Sequence, residues 1–192
     1  MSFCVSVYVP CFNSELYIER CVRALLAQSR TIDELLVIDD GSTDSSMSRI
    51  DSLSDKITII RHPTNLGLAS ARNTALAHAR YEYIASVDSD VAPEGRWLES
   101  LCDAMTTPHT ALVGGKLLEW NQESSANTWR AKHMPQHSGE FPLKNPPTLA
   151  GANTLARRDI LQSIGGYTTE YKTNYEDIDL QHRLTRLGLS CR

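Results

Sequence analysis

A chain of 192 residues is long enough for one domain with a sizeable core, and its 41% apolar and 22% charged composition excludes a disordered or fibrous protein. Its 19 basic and 23 acidic side chains leave a net charge of −4. No cationic excess exists to displace counterions from phosphates, which argues against a nucleic-acid partner.

"FCVSVYV" (3–9) predicts a first strand, and "ELYIERCVRALLAQS" (15–29) a helix with Ser14 as its N-cap and Leu16, Cys21, Leu25 and Leu26 near one face. "ELLVIDD" (34–40) follows as a second strand, and "TDSSMSRIDSLSD" as a polar helix from Thr43 or Asp44. "ITII" (57–60) is a third strand, "LASARNTALAHA" (68–79) an Ala-rich helix, and "YEYIASV" (81–87) a fourth strand. A helix over "EGRWLESLCDAM" (94–105) leads to a fifth strand at "TALVGG" (110–115). This alternation of apolar strands and helices predicts an α/β fold with a mostly parallel sheet, covered on both faces and connected right-handedly. Functional groups in such a sheet gather beyond the carboxyl ends of the strands.

The second half reads differently. Residues 119–148 carry Pro135, Pro142, Pro146 and Pro147 with no clear period, which predicts a long loop of the kind that carries function or moves. A short helix near 157–164 and a helix near 176–187 stopped by Gly188 come next, and "LSCR" resembles the start of a further strand.

Five cysteines at 4, 11, 21, 102 and 191 show no CxxC pair and no Cys/His spacing, so neither zinc nor a disulfide framework is expected, and a reducing compartment is. Cys4, inside an apolar run, reads as a small buried hydrophobe. "MSFCVSVYVPCF" has no basic n-region and no long apolar stretch, so the expected location is cytoplasmic, compatible with peripheral contact at the inner face of a membrane.

Acidic turns carry the chemistry. Asp88 and Asp90 in "VDSDV" end the fourth strand; as a pair they suit a hard divalent cation, Mg²⁺ or Mn²⁺, or else a solvated turn with an N-cap. Asp39 and Asp40 end the second strand before Gly41, where a turn and cap compete with a carboxylate accepting a hydrogen bond from a nucleobase N–H. Arg72 faces this acidic edge either as a structural ion-pair partner or as a diphosphate ligand. Glu176, Asp177 and Asp179 open the last long helix, where the dipole alone favours acids.

Taken in order, "VSVYVPCFNSELYIERCVRALLAQS", "ELLVIDDGSTDSS", "RHPTNLGLASARNTALAHA", "YEYIASVDSDV" and "LQSIGGYTTEYKTNYEDIDLQHRLTRLG" resemble the family 2 glycosyltransferases and their nucleotide-sugar-binding GT-A fold. The likeness covers residues 4 to about 115 strongly and 150–188 moderately. It implies a nucleotide-sugar-binding half over 1–115 and an acceptor-side segment over 116–192 within one domain. On the donor side it implies that Pro10, Phe12 and Glu15 border the nucleoside, that Asp40 with Asp39 beside it faces the uracil of a UDP-like donor, and that Asn65 and Arg72 reach base or diphosphate. Asp88 then lies near the ribose and Asp90 is the more direct ligand of Mg²⁺ or Mn²⁺. Asp177 is implied as general base with Glu176 in support, and Gly151 and Asn153 as part of an acceptor pocket. The acceptor is a glycan, lipid-linked or other hydroxyl. Where the family usually has Thr-Tyr, this chain has Cys11-Phe12, so a tyrosine hydroxyl contact is lost and ring stacking is kept. The implied reaction is transfer with inversion, assisted by metal and by a carboxylate base.

Two rivals stand beside it. A haloacid-dehalogenase-like phosphatase also places Asp-x-Asp after a strand, with the first acid as nucleophile, but there the motif normally follows the first strand. A non-catalytic nucleotide-sugar binder is the other. A Rossmann dehydrogenase lacks its GxGxxG after the first strand.

Overall fold

The computed structural model of the chain describes residues 4–120, 124–134, 143–171 and 174–192. Strands β1 (Val5–Cys11), β2 (Glu34–Asp39), β3 (Thr58–Arg61), β4 (Tyr83–Val87), β5 (Thr110–Gly114), β6 (Asn153–Arg157) and β7 (Ser190–Cys191) form one seven-stranded sheet in the order β3-β2-β1-β4-β6-β5-β7. The helices are α1 (Ile18–Leu26), α2 (Ser46–Ile50, continued by a 3-10 turn at Asp51–Leu53), α3 (Leu68–His78), α4 (Trp97–Ala104), α5 (Ser125–His133), α6 (Arg158–Ser163) and α7 (Glu176–Arg186). The sheet is mostly parallel, as the alternation predicts: β1 pairs in parallel with β2 and β4, β2 with β3, and β5 with β7.

Side-chain alternation divides the core into two layers. Val5, Val7 and Val9 of β1 and Leu35 and Val37 of β2 pack on α1 and α4. Tyr8, Leu36, Ile38 and Ile84 face the opposite way, onto α3 and α7. Both faces are covered, so β1, β2 and β4 are buried at every position, and each large apolar side chain there contributes about 1.5–3 kcal/mol through burial. The polar exceptions on the α3 side, Ser6, Tyr8 and Ser86, all find hydrogen-bond partners.

Several local expectations change. Helix α1 begins at Ile18 and buries Ile18, Cys21, Val22 and Leu25, the i, i+3, i+4, i+7 stripe, while Leu16 is 76% exposed. Ser14 is not the N-cap, which is Tyr17 without a side-chain bond; the Ser14 carbonyl accepts from the N–H groups of Tyr17 and Ile18 in the preceding turn, and its hydroxyl turns to Ser89. Cys4 precedes β1 and is exposed. Within 119–148 the chain forms α5, capped by Ser124, whose hydroxyl accepts the Asn127 N–H at 3.1 Å. No α5 residue is buried, which is why its sequence carries no amphipathic period. Strand β6 was not expected at all. It runs antiparallel between β4 and β5 and passes straight into α6, so "NTLARRDILQS" offers no turn residue between strand and helix. Gly188 ends α7 with φ +76°; its N–H reaches Thr185 and that of Leu189 reaches Leu184, a Schellman closure. No helix among the described residues is long and apolar enough to cross a membrane.

Candidate functional site

The carboxyl ends of β1, β2 and β4 lie side by side, and their turns are stitched into one rim. Asn13 accepts the Thr43 N–H through Oδ1 at 2.8 Å and donates its own N–H to Ser42 Oγ at 3.1 Å. Glu15 bonds twice across the same seam: its N–H donates to Asp44 Oδ2, and its Oε2 accepts from the Ser45 N–H. Ser14 Oγ meets Ser89 Oγ at 2.7 Å, which ties the β1 turn to the Asp-x-Asp turn after β4. Pro10 is buried opposite Ile38, whereas the Phe12 ring is 46% exposed at the lip.

Arg72 is the centre of the second half of the site. Helix α3 carries it beneath the sheet edge, where the residue is only 1% exposed. Nη1 donates to Ser86 Oγ (2.5 Å), the Gly151 carbonyl (2.8 Å) and Tyr8 Oη (3.3 Å). Nη2 donates to Asp88 Oδ1 at 3.1 Å, and Nε lies 3.3 Å from Glu176 Oε1. The Tyr167 ring lies 5.7 Å from the guanidinium carbon. Burial opposes the charge, but Asp88 and the two tyrosines hold the guanidinium well above its ordinary range. Both terminal nitrogens thus donate to protein groups, whereas the buried Nε makes no hydrogen bond and is held by the charge of Glu176 alone.

Three elements far apart in sequence meet there. Asp88 follows β4; Gly151 precedes β6, whose Asn153 pairs with Val87; Glu176 and Asp177 open α7. The Gly151 N–H donates to Asp177 Oδ2 at 2.8 Å. A Cβ on Gly151 would stand 2.9 Å from Arg72 Nη2 and 3.1 Å from Asp177 Cβ, so the close approach requires glycine. Tyr175, the residue before α7, is left-handed at φ +80°, an unfavourable conformation for a bulky side chain; it turns the chain sharply into Glu176.

The electrostatics follow from burial and crowding. Burial pushes the Asp88 carboxyl up, Arg72 pulls it down, and the charges of Asp90 and Asp177 push it up again. Burial likewise raises Glu176, with Arg72 opposing. Asp90 itself is exposed, and its carbonyl accepts from Arg20 at 3.3 Å. Burial pushes the Cys11 thiol up to about 11 and Cys21 higher still, so both are inert hydrophobes beside the site.

On the β2 side, Asp39 accepts the Ser42 N–H at 2.9 Å, and Asp40 is turned toward the β3–α3 loop, where it accepts from the N–H groups of Leu66 and Gly67 and from His62. Asn65 is exposed on that loop. The Asn153 side chain lies under the site, its Oδ1 accepting from Trp97 Nε1 at 2.7 Å and its Nδ2 donating to the Lys116 carbonyl. Arg72, Asp88, Gly151, Glu176 and Asp177 are therefore linked in one network through Arg72 and Gly151; Asp39, Asp40 and Asn65 belong to the neighbouring strand end, and Pro10, Phe12 and Glu15 to the rim between. Tyr8, Ser86, Tyr167 and His62 were not singled out in the sequence. The signal for the first two was a hydroxyl inside a fully buried strand, which needs a partner.

Asp88 and Asp90 could offer oxygen donors to a cation. No group of three His, Cys, Asp or Glu among the described residues is arranged to hold a metal, so a cation here would take one or two protein carboxylates and complete its shell from substrate and water, as Mg²⁺ commonly does. The charges of Asp90 and Asp177 push against Asp88 while Arg72 pulls the other way, a crowding of carboxylates that fits that donor set.

Comparison with known proteins points the same way. A family model for glycosyl transferase family 2 matches residues 6–165. The chain is 30% identical over 196 aligned residues to the pre-mycofactocin glycosyltransferase of Mycobacterium tuberculosis, covering 98% of this chain and 40% of that protein. It is 40% identical over 112 residues to the uncharacterized glycosyltransferase EpsJ of Bacillus subtilis, covering 57% and 33%. The chain thus spans well under two thirds of these relatives. Among solved structures, the mannosyltransferase PcManGT of Pyrobaculum calidifontis, in complex with GDP-Man and Mn²⁺, superposes with a TM-score of 0.79 at 22% identity, over 100% of this chain and 54% of that one. TarS of S. aureus in complex with UDP-GlcNAc gives 0.74 at 22% identity, over 94% and 52%. At that identity the likeness speaks for the fold, which is the GT-A fold. The dehalogenase-like alternative is not favoured. With the family model matching most of its length, this chain belongs to glycosyl transferase family 2.

Proposed function

We propose that the chain forms the donor-binding and catalytic part of an inverting, cation-assisted glycosyltransferase that moves a sugar from a uridine nucleotide-sugar to an acceptor hydroxyl. The observation that carries this reading is the convergence of Asp88, Glu176 and the Gly151–Asp177 pair on the buried Arg72 guanidinium. An isolated solvated turn or a helix dipole explains each acid singly, and neither explains their meeting. The nucleotide sugars and Mn²⁺ named for the similar structures are compatible with the donor side.

The rim of β1 and β2 turns holds the nucleoside: the exposed Phe12 ring offers a stacking surface, Glu15 and Asn65 flank it, and Asp40 with Asp39 meets the base. Asp90 and Asp88 would hold a Mg²⁺ or Mn²⁺, which supplies Lewis-acid stabilisation of the departing diphosphate when bound. Arg72 serves this chemistry as a positioning residue, fixing Asp88 and Glu176 relative to each other. Asp177 is the base. The Gly151 N–H holds Oδ2, and the carboxylate retains acceptor positions for the acceptor hydroxyl's proton, a contribution of roughly 10²–10⁴-fold. Gly151 and Asn153 shape the acceptor side, where a glycan, lipid-linked or other hydroxyl approaches. A single displacement from the face opposite the diphosphate inverts the anomeric carbon without a covalent enzyme intermediate.

A donor screen tests the reading. The protein is melted with Mn²⁺ and each common UDP-, GDP- and dTDP-sugar. A uridine nucleotide is expected to raise the melting midpoint only with metal, and Asp90→Ala to abolish that rise. Asp177→Ala is expected to keep the rise and lose transfer; full transfer by that variant would remove Asp177 from the mechanism.

A further inference from the structure

We propose that His62 sets the nucleobase preference of this site by leaving Asp40 a single open acceptor position. This rests on the reading that the base meets Asp40, and adds what decides which base is taken. A carboxylate offers about four acceptor positions. At Oδ1 of Asp40 two are filled, by His62 Nδ1 at 2.6 Å and by the Leu66 N–H at 2.9 Å; at Oδ2 one is filled, by the Gly67 N–H at 2.9 Å. Among the described residues nothing fills the other position at Oδ2. The side chain keeps only 5% of its surface exposed, so it presents an edge and not an open face.

That remainder matches one base chemistry. Uracil presents a single imide N–H between two carbonyls. Guanine presents two donors on one edge, the ring N–H and the 2-amino group, and pairs with a carboxylate through both oxygens. With Oδ1 saturated, guanine buries one donor unsatisfied and uracil buries none, which is the situation in which polar sites discriminate most sharply.

His62 is the removable part of the arrangement, because the other two donors are backbone groups. Its ring is held at both ends: Nε2 lies 2.8 Å from Thr74 Oγ1 on α3, and the His62 backbone N–H donates to the Asp39 carbonyl at 2.8 Å. The imidazole, with 9% of its side chain exposed, cannot swing aside when a ligand arrives. Thr74 therefore acts through His62, and His62 through Asp40; both are positioning residues.

Calorimetric titration of the whole chain with UDP and with GDP, in the presence of Mn²⁺, tests this. The wild type is expected to prefer UDP by about tenfold or more. His62→Phe keeps the volume and removes the donor, so the UDP-over-GDP ratio is expected to fall about tenfold, with GDP binding tighter than in the wild type. His62→Asn places an amide N–H where Nδ1 stood and is expected to restore the ratio; Thr74→Val is expected to lower it by a smaller factor. A melting curve beside each titration separates a folding defect, which weakens both nucleotides alike. Should His62→Phe not fold, the order of His62→Asn above Thr74→Val still decides the matter, and the reverse order overturns the proposal. An unchanged ratio in folded His62→Phe overturns it while leaving the glycosyltransferase reading in place, and a wild type that prefers GDP overturns it together with the uridine assignment but not the glycosyltransferase reading. A wild type that binds neither nucleotide overturns the donor-site reading, and this proposal with it.

Discussion

Replacing Arg72 by Met keeps the bulk of the side chain and removes its charge and all five donors. Two buried or half-buried carboxylates, Asp88 and Glu176, then lose their counter-charge, and Tyr8, Ser86 and the Gly151 carbonyl lose a donor. Breaking a buried ion pair from one side costs about 3–5 kcal/mol. The three neutral bonds, at about 0.5–1.5 kcal/mol each, belong to the same network and do not simply add to that figure. Against a total stability of about 5–15 kcal/mol the loss is large. At about 2 kcal/mol per M of urea it lowers the unfolding midpoint by roughly 1.5–2.5 M. The pH dependence has a definite sign. Burial raises Asp88 and Glu176 above the usual carboxylate range, and Arg72 restrains both. A carboxyl with a raised native pKa holds a proton that the unfolded chain has released, so stability falls as pH climbs from about 4 through the native value and returns on acidification. Without Arg72 the native values rise further, and the penalty at pH 7 should exceed that at pH 5. Arg72→Lys keeps a charge on one centre and cannot reach all five partners, so it should fall between Met and the wild type. Urea melts of the three proteins at both pH values are the assay. An Arg72→Met midpoint close to that of the wild type at pH 7, or a penalty that grows at pH 5, would refute the reasoning.

Gly151→Ala drives a methyl into Arg72 and Asp177; about 1–3 kcal/mol of overpacking and a transfer rate reduced at least about tenfold are expected, read from urea melts and steady-state kinetics. Trp97→Phe leaves the buried Asn153 Oδ1 without its donor and should cost about 1–3 kcal/mol, visible as a lowered melting midpoint. Asp44 is held below the usual carboxylate range: burial works the other way, but the Ser46 hydroxyl and the Ser46 and Glu15 N–H groups outweigh it. Its contribution is present above the unfolded value of about 4 and disappears as pH falls through the lower native value. Asp44→Ala should therefore be less stable than the wild type at pH 7, and the gap should close under acid, a comparison that melts at pH 7 and pH 3 make directly.

What could be read from the chain beforehand was whatever a local pattern determines. Parallel strands buried on both faces announce themselves as unbroken apolar runs, and β1, β2 and β4 lie within two residues of where those runs placed them. Acids at strand ends mark the functional edge of such a sheet, and Asp88 and Asp39 lie there. Elements that depend on distant partners were not legible. Strand β6 is short, flows into α6 without punctuation, and owes its extended form to β4 and β5 on either side. Helix α5 buries nothing and so writes no period. Nothing adjacent to Arg72 in sequence reveals its partner Glu176, more than a hundred residues on. His62 is recognisable only once Asp40 and Thr74 are seen on either side of its ring.

The antiparallel insertion of β6 is what makes one site from two halves of the chain. Were β5 to follow β4 directly in the sheet, the Asp-x-Asp turn would border only the loops of the first half. With β6 between them, the end of β4 lies against the start of β6, Val87 opposite Asn153, and Gly151 is delivered to the Arg72 guanidinium. The first turn of α7 is then tied beside Asp88 by the bond from the Gly151 N–H to Asp177 and by Glu176 on Arg72. A strand reversal in the sheet, and not proximity along the chain, therefore sets the spacing between the carboxylate we assign to the cation and the one we assign to the proton. The loop before β6 is the place where a one-residue insertion should separate nucleotide binding, retained, from transfer, lost.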